Sequence, residues 1–205
     1  RNEGLLHDNV TCIAQDSLGF IWLGTHRGLN RFDGYTLDAY KYEQDPINSV
    51  YYNRVYSLQP MGRYLWVATE AGVACFDIHL KQFVNFKIDD PLDLAFYTKV
   101  KLLQKGTNNE LWLLSENQIR RAKVVWNQHE KALTLKTLPI GSVSQLTTSQ
   151  LNPQIAVSKK GEVWLSGFPW LSAYVPEKGT LKALPEKVNN IGSGIVKMFY
   201  TDGYL

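Results

Sequence analysis

The feature that most constrains this chain is a strand–turn–strand pattern that returns four times, each time centred on a tryptophan. Its clearest copy is Asp16-Ser-Leu-Gly-Phe-Ile-Trp-Leu-Gly-Thr-His-Arg-Gly-Leu-Asn-Arg-Phe-Asp33. Phe20 to Thr25 is an apolar run around Trp22. His26, Arg27 and Gly28 form a turn, Leu29 to Phe32 runs back, and Asp33-Gly34 is a hairpin signal. The pattern recurs around Trp66, Trp112 and Trp164, at spacings of 44, 46 and 52 residues. A strand precedes each copy and another follows it, so every unit supplies four short antiparallel strands. Four strands repeating at this period are the signature of a β-propeller blade. No segment of helical period competes. A β-sandwich would not repeat the Trp, the turn glycine and the Asp after the third strand together.

The predicted fold is therefore all-β, a propeller of four-stranded antiparallel blades. One domain over 1–205 is expected, with blades at about 10–42, 55–88, 100–138 and 155–184 and the start of a fifth at 195–205. In the first unit the strands are expected at Val10–Gln15, Phe20–Thr25, Leu29–Phe32 and Tyr35–Tyr42. The second unit is expected to turn at Pro60-Met61-Gly62 and to end in a single strand from Phe83 to Ile88, followed by a loop over 89–98. In the third unit Gln118 stands where the turn glycine belongs, which predicts a turn shifted by one residue. Four units and the opening of a fifth make a partial propeller, because such rings close with about 4–8 blades.

Neighbouring blades cover both faces of a blade, so inner strands should be apolar on both sides rather than alternating. Phe20-Ile21-Trp22-Leu23 and Tyr64-Leu65-Trp66-Val67 fit this. Trp22, Trp66, Trp112 and Trp164 are assigned as inter-blade wedges, and Gly28 and Gly72 as turn residues that supply a positive φ. Small residues follow the tryptophans at Gly24, Ala68 and Ser166, where the ring tapers, while Leu114 departs from that rule.

Composition excludes several functions. A hydrophobic content of 44% permits a sizeable core, and a net charge of +3 without a basic cluster gives no nucleic-acid footprint. No apolar run approaches the ~20 residues of a membrane span, and no signal-peptide pattern stands at Arg1. The two cysteines, Cys12 and Cys75, lie in apolar strands and are expected as buried thiols. His7, His26, His79 and His129 fall apart with no metal-ligand spacing. There is no phosphate loop and no nucleophile elbow. Asp89-Asp90 reads as a solvated loop pair. Neither a catalytic group, a metal nor a cofactor is expected.

Binding is the better supported class. The turns between second and third strands and the inter-blade loops should emerge on one face. These bring forward His26, Arg27, Tyr51, Tyr52, Glu70, Phe96, Tyr97, Phe168 and Trp170 as candidate ligand contacts. Aromatic faces beside Arg, Asn and Glu suit a sugar, whose C–H face stacks while its hydroxyls hydrogen-bond. The competing reading is that the aromatic residues staple loops onto the blades.

Val10 to Tyr35, with the lead-in Glu3-Gly-Leu-Leu-His-Asp-Asn9 and the connection Asp45-Pro-Ile-Asn-Ser-Val50, resembles the two-component regulator propeller repeat. The lead-in is similar to the opening of the sensor region in hybrid two-component systems of Bacteroides-type bacteria. The resemblance implies a periplasmic, non-enzymatic sensor propeller that detects oligosaccharides from polysaccharide breakdown. It also implies further blades and further sensor domains in the same protein, with a membrane helix and a histidine kinase downstream. Homodimerisation is left open. The rival functions are a propeller enzyme acting on polysaccharide, a lyase or glycosidase, and a scaffold propeller that binds protein.

Overall fold

The structure, a computed structural model, describes residues 4–41, 54–90, 94–115, 118–128, 132–140, 154–166, 171–175 and 180–183. The first blade comprises β1 (Val10–Gln15), β2 (Ile21–Thr25), β3 (Gly28–Phe32) and β4 (Leu37–Tyr40). The second comprises β5 (Val55–Met61), β6 (Tyr64–Thr69), β7 (Gly72–Asp77) and β8 (Gln82–Val84). A strand β9 (Phe86–Ile88) and a single helical turn α1 (Leu94–Tyr97) follow. The third blade holds β10 (Leu102–Lys105), β11 (Glu110–Leu114), β12 (Ile119–Asn127) and β13 (Ala132–Leu138). The fourth holds β14 (Gln154–Val157), β15 (Val163–Ser166), β16 (Leu171–Val175) and β17 (Thr180–Ala183). Strands within each blade pair antiparallel in sequence order. The start of a fifth unit at 195–205 lies outside the described residues.

The innermost strands sit side by side. The Thr11 hydroxyl donates to the Val55 carbonyl at 2.7 Å. Ser57 Oγ accepts from the Leu103 N–H at 3.1 Å, and Gln59 Oε1 from the Lys105 N–H at 3.0 Å. These bonds tie β1 to β5 and β5 to β10 around a common hub.

Trp22, Trp66 and Trp112 each pack toward the blade that follows. Trp22 and Leu29 share a core with Val55, Leu65, Phe76 and Phe83 of the second blade. Trp66 joins Val100, Leu111 and Leu133 of the third, and Trp112 joins Ile155, Leu165 and Tyr174 of the fourth. The rings meet edge-on, Trp22 with Phe76 at 5.0 Å and Trp112 with Tyr174 at 5.4 Å, the geometry the ring quadrupole favours. Trp22, Trp66 and Trp112 are fully buried, whereas Trp164 is half-buried. β6, β7 and β11 are covered on both faces, apart from a half-buried Tyr64, and are apolar but for Thr69, Asp77 and Glu110 at their ends. The first blade differs. Ile21 and Leu23 are half-buried and Ile13 is 63% exposed, so the face turned away from Trp22 is open among the described residues.

Gly24 shows why the residue after Trp-Leu must be small. A Cβ there would stand 2.4 Å from Cys12 Sγ and 2.7 Å from a Val55 methyl. Cys12 and Cys75 are not joined in a disulfide.

Cys12, expected as a buried thiol, is half-buried, and four expectations about strands and loops need correction. β5 runs through Pro60 to Met61, and the hairpin turns at Gly62-Arg63 instead. Proline is tolerated because β5 is the edge strand of its sheet, with only β6 beside it. Tyr35 lies in the Asp33 turn and is 94% exposed rather than opening β4. The expected strand 83–88 is two strands. After Val84 the chain leaves its own blade, and β9 pairs in parallel with β13 of the next, Leu133 opposite Phe86 and Leu135 opposite Ile88. The Phe86 ring meanwhile packs edge-on against Trp66 of the second blade at 5.1 Å. The loop expected at 89–98 contains α1.

Candidate ligand-binding face

In three blades a hydroxyl at the end of the second strand secures the turn into the third. The Thr25 hydroxyl donates to the Gly28 carbonyl at 2.9 Å and accepts the Arg27 N–H at 3.1 Å. Thr69 repeats this with Gly72 and Ala71, at 2.9 and 3.3 Å. In the third blade the Ser115 hydroxyl donates to the Gln118 carbonyl and accepts its N–H, both at 3.2 Å. Ser115 and Gln118 therefore occupy the positions of Thr25 and Gly28, and the expected one-residue shift is absent. A hydroxyl at the strand end, rather than a glycine at its start, is the feature common to all three.

Gly28 and Gly72 have φ of +131° and +127°. Their larger constraint is overhead. A Cβ on Gly28 would lie 2.5 Å from the Tyr40 carbonyl, and one on Gly72 would lie 3.0 Å from the Tyr97 carbonyl. The end of β4 lies against the first of these turns and the end of α1 against the second, at the same end of the blades.

At that end Arg27 and Glu70 are exposed, and His26 is half-buried. The His26 imidazole stacks on that of His7 with centroids 5.6 Å apart, and His7 Nδ1 accepts the Asn9 N–H at 2.9 Å. The lead-in thus folds onto the first turn. Among the described residues no group of three metal-ligating side chains gathers here or elsewhere. Phe96 and Tyr97 are 5% and 3% exposed and belong to the core between the second and third blades. They pack on each other, and Arg120 covers the Phe96 ring at 5.0 Å. Their rings staple the connection rather than face solvent. Tyr51, Tyr52, Phe168 and Trp170 lie outside the described residues.

A group that sequence reasoning missed occupies the inner part of the same end. β5 carries a bulge between Val55 and Ser57, which leaves Tyr56 out of the regular ladder. Lys101 Nζ stands 3.8 Å from the centre of the Tyr56 ring and Arg54 Cζ stands 5.5 Å from it. The Lys101 N–H bonds the Leu114 carbonyl at 2.8 Å and the Arg54 carbonyl accepts the Glu70 N–H at 3.0 Å, so both basic residues are fixed beside the turns. The first blade has a matching bulge between Val10 and Cys12. There Thr11 caps the Gly24 and Val55 carbonyls. Only the recurrence of the bulge, which pairing reveals, singles Tyr56 out.

Four-stranded antiparallel blades joined at a hub by their first strands make this a β-propeller. Residues 4–27, the lead-in and first two strands, match the model of the two component regulator propeller family. Over 48 residues it is 40% identical to histidine kinase P4 of Formosa agariphila, covering 23% of this chain and 4% of that protein. Two solved Bacteroides thetaiotaomicron structures, described as extracellular domains of the hybrid two component systems BT3049 and BT4673, superpose with TM-scores of 0.64 and 0.62. Identities are 20% and 21%, over 92% and 90% of this chain. Virginiamycin B lyase from Staphylococcus aureus superposes with a TM-score of 0.55 at 12% identity, over 87% of this chain and 56% of the lyase. These likenesses show the fold. The chain spans 26% and 23% of the two Bacteroides domains.

Proposed function

We infer that this chain is part of an extracytoplasmic ligand-sensing propeller in a hybrid two-component signalling protein, and that it detects oligosaccharides from polysaccharide breakdown. The observation that carries this reading is the two component regulator propeller repeat at 4–27, in a chain whose fold matches extracellular domains of proteins described as hybrid two component systems. In this reading residues 1–205 act as one propeller domain, further blades cover the open face of the first blade, and the region is periplasmic. It binds and does not catalyse. A kinase elsewhere in the same polypeptide would carry the signal onward. The ligand contacts are placed at the turn end, with His26, Arg27 and Glu70 at the tips. Convergent hydrogen-bonding groups there suit sugar hydroxyls.

The test is calorimetric screening of the full-length protein's sensor region against an oligosaccharide panel, beside a transcriptional reporter in cells. Binding of one saccharide class and loss of its transcriptional response on deleting the sensor region are expected. No binding, with an unchanged response after deletion, would overturn the reading.

A further inference from the structure

We propose that Arg54, Tyr56 and Lys101 form the subsite for the acidic group of an anionic saccharide, a uronate or a sulfated sugar. This deepens the sensing function proposed above and rests on it.

Two cations share one aromatic ring, Lys101 at 3.8 Å and Arg54 at 5.5 Å from its centre. The sum of these distances bounds the separation of the charges and lies inside the Debye length of about 10 Å at 0.1 M salt. The two like charges therefore repel each other, a repulsion that a bound anion between them would relieve. Among the described residues neither cation has a carboxylate within ion-pair distance; the ion pairs there join Arg31 to Asp38, Arg63 to Asp77 and Arg121 to Glu110. Glu70 is close along the backbone but makes no ion pair with Arg54.

Two other arginines that cover rings differ in this respect, Arg31 over Phe20 being paired with Asp38. Arg121 covers Trp112 at 5.6 Å but is neutralised by a two-pronged contact with Glu110, at 2.6 and 2.9 Å. Among the described residues Arg54 and Lys101 lack such a partner, and their ring is set out of the ladder by a bulge, a device found beside functional sites. A carboxylate or sulfate would receive charge-assisted hydrogen bonds from the ammonium and the guanidinium. The sugar ring carrying it would meet the half-buried Tyr56 ring, the pairing of apolar face and polar rim that suits a pyranose.

The experiment is calorimetry on the full-length protein with oligogalacturonate and chondroitin sulfate tetrasaccharides, each beside its uncharged counterpart (methyl-esterified, or desulfated and carboxyl-reduced). An acidic form is expected to bind at least about tenfold more tightly than its uncharged form, the scale of one lost charge-assisted hydrogen bond. Lys101→Gln and Arg54→Gln should each weaken that binding about five- to tenfold at an unchanged melting temperature. Raising salt from about 50 to about 300 mM should weaken it further. Tyr56→Phe, which keeps the ring, should retain binding. Equal affinity for charged and uncharged forms, or variants that bind like the parent, would overturn this subsite and leave oligosaccharide sensing standing. Binding of neutral oligosaccharides alone does the same, whereas no saccharide binding at all removes both.

Discussion

Replacing Asp16 by alanine tests how the first blade holds its tryptophan. Asp16 is 6% exposed, and its carboxylate serves three donors. Oδ2 accepts the Trp22 indole N–H at 2.7 Å, and Oδ1 accepts the N–H groups of Leu18 and Phe20 at 2.9 and 3.1 Å. Trp22 is fully buried, so no water can replace the lost acceptor, and an unpaired buried donor costs about 1–3 kcal/mol. The two turn amides lie closer to solvent and add about 0.5–1 kcal/mol each. Asp16→Ala should therefore destabilise by about 2–5 kcal/mol, read by urea unfolding followed by tryptophan fluorescence. The second blade supplies an internal comparison. Met61 stands at the position of Asp16, and the Trp66 indole nitrogen is buried without a partner. A double-mutant cycle isolates the bond, because Trp22→Phe removes the donor. In that background Asp16→Ala should cost about 1–2 kcal/mol less. An equal cost in both backgrounds, or a total below about 0.5 kcal/mol, would refute the assignment of Asp16 as the indole's anchor.

Gly28→Ala should destabilise more than Gly72→Ala, since the added methyl meets a carbonyl at 2.5 Å against 3.0 Å; strain at such φ alone costs about 1–3 kcal/mol, and thermal melts of the two variants check the order. Asp33 is held down to about 2 by the N–H groups of Thr36 and Tyr35 and by the Thr36 hydroxyl. Its folded value lies below the ordinary carboxylate value of 3.8, so its contribution to stability is present above that pH and disappears as pH falls toward 2. Carbon-detected NMR titration should give a midpoint near 2, and one near the ordinary value would contradict the turn geometry. Burial, with help from Asp77, pushes the Cys75 thiol up, so iodoacetamide should label half-buried Cys12 first and reach Cys75 only on unfolding, as mass spectrometry would show.

The parts of the fold legible in the sequence were those that packing repeats. Trp22, Trp66 and Trp112 recur because every blade needs a wedge against the next, and that need has a period. Gly28 and Gly72 were recognised as turn residues, although the carbonyl pressing on each comes from a segment distant in sequence or a strand away. Gln118 misled because the hydroxyl of Ser115 secures the turn. Phe96 and Tyr97 carried the right chemistry for a ligand platform, but α1 turns both inward, and a four-residue helical turn leaves no period to read. Arg54 and Lys101 are 47 positions apart in the chain. They meet across Tyr56 only because a bulge resets β5 and because the hub sets β10 beside it, and neither is written in local sequence.

The crossing of β9 from one blade to the next gives the chain a grain. Phe86 is anchored on Trp66 while its backbone completes the sheet that begins at Leu102. The third blade therefore finds its outer border already synthesised when β13 emerges, and that edge is never offered to another molecule. It also means the second and third repeats are stitched together. Cutting the gene between them would strand half a seam on each side, whereas Tyr40 of the first blade makes no such loan among the described residues. A duplication or deletion that respects this architecture would move the second and third blades as a pair.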